Sequence, residues 1–290
     1  MDNTTLQRLE LAANAWSRSE QSSVPALFES LTLEQQYKAI FTLLRSPHRN
    51  VRDYALTRAI QNDWCEDEIW QRELAQAINS ADYVNDELYA QQLLVLLSYE
   101  SAQRIIPHRE KLYLALATKH ADLRYHALVA LEQSLETGER YWDLLLDTLR
   151  GQDSDMRIVA SQAFVRLANK DALPALEVAA RYAFGEEAFH ILIARIALGE
   201  SSLEGELCKA LYNDATSYAA ILAIERYGSA ASLEALASIW RSPFTEPTVR
   251  IAAARCAAKF GATDALDLLQ SLAKKKSGNP DLAQDALKNL

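Results

Sequence analysis

Apolar residues recur along this chain at the spacing i, i+3, i+4, i+7, which places one apolar stripe on each of a long series of helices. Tyr141 to Leu149 and Leu233 to Trp240 are clear examples. A second pattern follows such stripes: an apolar anchor, an Arg, two variable residues and an Ala. It reads Val51-Arg52-Asp53-Tyr54-Ala55, Leu123-Arg124-Tyr125-His126-Ala127, Met156-Arg157-Ile158-Val159-Ala160 and Val249-Arg250-Ile251-Ala252-Ala253. Leu123 and Met156 are 33 residues apart, Val51 and Leu123 are 72 apart, and Met156 and Val249 are 93 apart. These intervals are one, two and three repeats, and a fixed period of this size marks a solenoid or array.

The intervals hold weaker copies that lack the Arg. Asp86 to Leu97 carries Ala90, Leu93, Leu94 and Leu97 at the matching offsets. Gly185 to Ile196 carries Phe189, Leu192, Ile193 and Ile196, and Thr216 to Tyr227 carries Ala220, Ala223, Ile224 and Tyr227. A truncated last copy begins near Asp281. The small residues Ala55, Ala127, Ala160 and Ala253 predict close approach of each second helix to its partner. Asn50, Asp122, Asp155 and the Pro247-Thr248 pair stand before those helices as expected caps. Gly138, Gly151, Gly199, Gly228 and Gly261 fall between helices, where a positive φ is often needed.

Composition narrows the class. With 8 Gly and 7 Pro in 290 residues there is too little turn chemistry for a many-stranded β fold. The start of the chain has neither a basic segment nor an apolar run of the secretory type. No apolar stretch reaches the ~18 residues that would span a membrane. Cys65, Cys208 and Cys256 are too far apart in sequence to outline a disulfide frame and read as reduced thiols, so a cytoplasmic location is expected. The net charge is −9, with 14 basic and 21 acidic residues in 1–145 and 16 and 18 in 146–290. Such a chain is a poor default ligand for nucleic acid, whose nonspecific affinity comes from Lys and Arg on phosphates.

The motif copies Asn50 to Ile60, Asp122 to Leu131, Asp155 to Leu167 and Thr248 to Phe260 resemble HEAT repeats, including the bacterial HEAT-like repeats of the phycobilin-lyase type. The resemblance implies an all-α, right-handed α-α superhelical solenoid of about eight helix pairs. It makes residues 1–290 a single array, with 1–32 as N-terminal capping helices and 33–290 as repeats. It also implies a concave face lined by second helices, in a family whose members mostly bind other proteins.

Candidate binding residues follow from aligning the copies. Ten residues past successive anchors stand Arg166, Arg195, Arg226 and Lys259. Second helices stacked ~10 Å apart would turn these cations into a stripe. Against this, each lies in a last helical turn, where a cation is also favoured by the helix dipole. Tyr125, His126, Gln162, Tyr218 and Arg255 join them as residues expected on the same row. The Arg after each anchor, with Asp122, Asp153 and Asp155 nearby, is expected to form an Asp–Arg ladder between repeats. Acidic clusters stand at Glu66-Asp67-Glu68, at Asp82 with Asp86-Glu87 and at Asp153/Asp155; Glu66 to Glu68 read as helix-start carboxylates, with an acidic docking face for a basic partner as the alternative. Trp16 is placed on a cap helix, and Trp64, Trp70, Trp142 and Trp240 are read as core or cap.

No P-loop, G-x-S-x-G or G-x-G-x-x-G is present, and the five histidines form neither H-E-x-x-H nor a Cys/His zinc pattern. No catalytic, metal or cofactor residue is therefore assigned, and the chain is expected not to be an enzyme. The leading expectation is an interaction scaffold that binds another protein on the second-helix face, one version being a bacterial antagonist or immunity protein. Two alternatives stay open through the resemblance: a tetrapyrrole-attaching, lyase-like protein and a HEAT-like DNA-binding or glycosylase protein.

Overall fold

A computed structural model describes residues 3–15, 18–62, 64–274 and 279–290. Trp16 and Asp63 lie outside them, as does the side chain of Cys65. The described residues are all-helical, with no strand. By internal contacts the chain divides into two compact units, Met1–Gly138 and Glu139–Leu290.

In the first unit, helices Leu33–Leu44, Glu68–Ser80 and Arg109–Leu116 are first members of pairs. Arg49–Gln61, Glu87–Leu97 and Ala121–Gln133 are the second members and pack on one another in that order. The helices Asn3–Asn14 and Val24–Glu29 precede them, and Asn3–Asn14 packs against Leu33–Leu44. In the second unit the pairs are Glu139–Arg150 with Ser154–Leu167, Leu173–Ala180 with Gly185–Ala197, Glu204–Ala210 with Ser217–Tyr227, Leu233–Trp240 with Pro247–Lys259, and Thr263–Ala273 with Pro280–Lys288. Each second helix packs on the next. Within each unit this is the stacking of an α-solenoid.

The motif positions do the packing. The anchors Val51, Leu123 and Met156 are buried, and Ala55, Ala127, Ala160 and Ala253 have no exposed surface at all. The weaker copies behave in the same way, since Ala90, Leu93, Leu94, Leu97, Ala220 and Ile224 are all core. A side chain no larger than methyl at these Ala positions lets neighbouring helices close to native packing density.

The helix starts differ from expectation. Asn50, Asp122 and Asp155 sit inside the first turn, because each helix begins earlier than the motif implies. The caps are instead His120, whose Nδ1 accepts from the Leu123 amide at 3.3 Å, and Asp153, whose Oδ1 accepts from the Met156 amide at 3.1 Å. Glu246 accepts from the Val249 amide at 3.0 Å, with Pro247 opening the helix. Asp122 and Asp155 keep only their favourable place against the positive helix end. Among the interhelical glycines, Gly199 and Gly261 do take positive φ, at 115° and 94°, whereas Gly138, Gly151 and Gly228 do not.

The Asp–Arg ladder is replaced by a different device. Arg52 donates to the carbonyl of Ser46 at 2.7 Å, Arg157 to that of Gly151 at 2.5 Å and Arg250 to that of Trp240 at 2.9 Å. Each carbonyl lies at or just past the C-terminus of the first helix of the pair, where carbonyls lack intrahelical partners. In these three copies the motif Arg thus ties the two helices of one repeat together. Arg157 alone also reaches onward, to Glu187 on the next second helix.

Candidate functional site

The second-helix row of the second unit carries an open groove of about 510 Å³, lined by residues of three consecutive second helices. Ser154–Leu167 contributes Gln162 and Arg166, Gly185–Ala197 contributes His190 and Ile193, and Ser217–Tyr227 contributes Leu222 and Arg226. Three of the nine candidate residues, Gln162, Arg166 and Arg226, therefore meet in one place. His190 and the exposed Leu222 join them, and the repeat alignment had not singled out Leu222 as a partner contact.

Arg226 is exposed, with its guanidinium carbon 5.2 Å from the Tyr227 ring centroid. Gln162 Nε2 lies 3.5 Å from His190 Nδ1, and the other ring nitrogen of His190 lies 3.8 Å from Glu186. Burial pushes the His190 imidazole below its ordinary pKa, against the opposing pull of Glu186.

Arg195 and Lys259 of the expected stripe are held in ion pairs. Arg195 forms a 2.6 Å ion pair with Glu200, beyond the end of its own helix. Glu225 holds both Arg255, at 2.7 Å, and Lys259. Burial alone would raise the Glu225 carboxyl, but hydrogen bonds from Lys259 and Arg255 outweigh it and hold the group below its usual range. That triad clamps Ser217–Tyr227 to Pro247–Lys259. The Nε atoms of Arg195 and Arg255 are buried with no hydrogen-bond partner among the described residues. Tyr218 is exposed near the start of its helix and does not line the groove. Tyr125 and His126 belong to the first unit, where their rings meet edge to face at a centroid distance of 5.3 Å.

Most other features singled out in the sequence serve the fold. Asp67 caps Glu68–Ser80 through the Ile69 and Trp70 amides and also accepts from the Tyr37 hydroxyl at 2.9 Å. Glu66 pairs with Arg104. Asp82 accepts from the amides of Val84 and Asn85. Trp64, Trp70 and Trp240 are buried, and Trp142 is half-buried against Phe164. Cys256 is fully buried, and burial first, then the Glu225 charge, pushes its thiol up to about 12. Cys208 is half-buried beside Ser232.

Three histidines share one electrostatic condition. Burial lowers the pKa of His108, His126 and His190, with Asp122 and Glu186 opposing it at the latter two. The unfolded chain, with histidines at their ordinary pKa of 6.5, then binds protons more readily than the folded one. Their contribution is fully present above about pH 6.5 and is lost as pH falls through the lower folded values. The urea midpoint is expected to drop between about pH 7 and about pH 5. His108→Gln should flatten that drop, because burial is the one cause acting on His108 and its Nδ1 has no hydrogen-bond partner. A variant profile parallel to the wild type would disprove the assignment.

Among the described residues no helix is long and apolar enough to cross a membrane. No curated protein matches the chain. Among solved structures it is similar to an engineered protein whose crystal structure came from a structural genomics consortium. That similarity has 15% identity and a TM-score of 0.38, over 100% of this chain and 99% of the other. A family model described as HEAT repeats matches residues 205–290, all within the second unit. HEAT repeats generally mediate protein–protein interaction. The matched stretch takes in the last three helix pairs almost entirely, and over it the chain is similar to HEAT repeats.

Proposed function

We propose that this protein is an interaction scaffold whose second unit binds an acidic, partly apolar segment of another protein on its second-helix row. The observation that carries this reading is the convergence of the exposed Arg226 and the exposed Leu222 in one open groove built from three consecutive repeats. Apolar contact with Leu222 and Ile193 supplies affinity. The Arg226 guanidinium selects carboxylates and sets register, as charge complementarity does at protein interfaces. The ion-paired Arg195, Arg255 and Lys259 hold the helices that form the groove and its neighbouring repeat. The reading assigns no catalytic step to the chain and fits a scaffold, an antagonist or an immunity protein alike.

Affinity capture from the native host tests it. Wild-type protein is expected to retain a stoichiometric protein partner, and the double variant Leu222→Asp with Arg226→Glu to lose it. Both side chains are exposed, so the variant is expected to keep its fold by circular dichroism. No stoichiometric partner, or the same partner held equally by the variant, would count against the groove.

A further inference from the structure

The turns joining first to second helices in the second unit carry large aromatic side chains that pack on little. Tyr182 and Phe184 stand in the turn before Gly185–Ala197, Tyr212 in the turn before Ser217–Tyr227, and Phe244 in the turn before Pro247–Lys259. They are 74%, 82%, 65% and 96% exposed, respectively. Three consecutive repeats place aromatics at one structural position where the fold gains little from them. Aromatics left largely in water forgo the stabilisation of burial, and such residues are enriched at protein interfaces.

Between the last two of these turns lies a second open groove, of about 800 Å³. Its apolar floor includes the buried Leu211 and Ile239, and Tyr212 and Phe244 line it. The Tyr212 hydroxyl lies 3.0 Å from Ser238 Oγ, on the first helix of the next repeat, which fixes the ring along the groove. The charged groups lining it are Asp214 and Glu246, with no lysine, arginine or histidine. Hydrogen bonds from the Thr248 and Val249 amides hold the Glu246 carboxyl below its usual range, so it is ionised. Asp214 is exposed and accepts no hydrogen bond among the described residues. This groove is opposite in charge to the one on the second-helix row.

We infer that the turn edge around Tyr212 and Phe244 is a docking surface for a basic, partly apolar peptide segment of a partner protein. An aliphatic side chain of that segment covers the Leu211–Ile239 floor. Neighbouring lysines or arginines meet Asp214 and Glu246 and lie against the aromatic faces, which attract cations. The inference does not depend on the second-helix groove.

Fluorescence anisotropy with two short labelled peptides tests it. One carries two leucines flanked by lysines, and in the other glutamates replace the lysines. The lysine peptide is expected to bind, and the glutamate peptide at least about tenfold more weakly. Phe244→Ala and Asp214→Lys should each weaken the lysine peptide about tenfold, since both alter exposed side chains without touching the core. Leu222→Asp with Arg226→Glu should leave its affinity unchanged, which separates this surface from the other groove. Equal binding of the two peptides, or full affinity in Phe244→Ala, would overturn the inference. So would a wild-type dimer in analytical ultracentrifugation that Phe244→Ala makes monomeric, because the occupant would then be a second copy of this chain.

Discussion

Glu187→Ala is expected to cost the second unit about 3–5 kcal/mol of folding stability. The Glu187 carboxylate accepts from Arg157 Nε at 2.6 Å and Nη2 at 2.9 Å, in a two-pronged pair linking consecutive second helices. The two side chains are only 4% and 14% exposed. Without the carboxylate, the Arg157 charge stays buried with one remaining carbonyl partner, that of Gly151. A guanidinium cannot shed its proton to escape that cost. Urea denaturation of wild type, Glu187→Ala, Arg157→Met and the double variant measures the coupling. The double variant should recover much of the loss, because an apolar pair removes the unpaired charge. A loss below about 1 kcal/mol in Glu187→Ala would place the pair with ordinary surface bridges instead.

Trp70→Ala is expected to cost the first unit a further ~3–5 kcal/mol. Trp70 is 3% exposed at the centre of an aromatic cluster. Its ring centroid lies 5.3 Å from those of Phe41 and Trp64 and 5.9 Å from that of Tyr37. Its indole N–H also donates to the buried Glu100 carboxylate at 3.3 Å, which Arg104 holds from the other side. Truncation opens a cavity and removes a donor from a buried charge, and the two costs add. Trp70→Phe refills most of the volume but restores no donor, so it should fall between Trp70→Ala and the wild type. Unfolding followed by far-ultraviolet circular dichroism reads the difference without relying on tryptophan emission. Equal stability of Trp70→Phe and wild type would show that the Glu100 contact contributes nothing.

The candidate residues show how far a repeat alignment reaches. Arg195, Arg226 and Lys259 occupy one offset, yet a different partner meets each of them. Arg195 meets Glu200 beyond its own helix, Lys259 meets Glu225 on the neighbouring helix, and Arg226 lies beside the Tyr227 ring. Offset fixes the helix face, while the residues across the gap decide what each cation does there. Leu222 was missed because it lies off the stripe of Ala220, Ala223, Ile224 and Tyr227, where periodicity assigns no partner. Phe244 and Tyr212 lie in turns, where helical periodicity carries no information, although aromatic residues in short turns were themselves a readable signal.

The amino-acid sequence by itself determined the helix-pair repeat, its period and its core. Those depend on apolar and small residues at fixed local spacing, and a period of 3.6 residues has one solution for burying a stripe. The tertiary structure decided which polar groups serve the fold and which face solvent. It turned the expected Asp–Arg ladder into ties from arginine to first-helix carbonyls, and it divided the basic stripe between ion pairs and an open groove. The physical reason is that a charge's role depends on partners outside its own helix, across the turn within a repeat or one repeat along, which helical spacing cannot see.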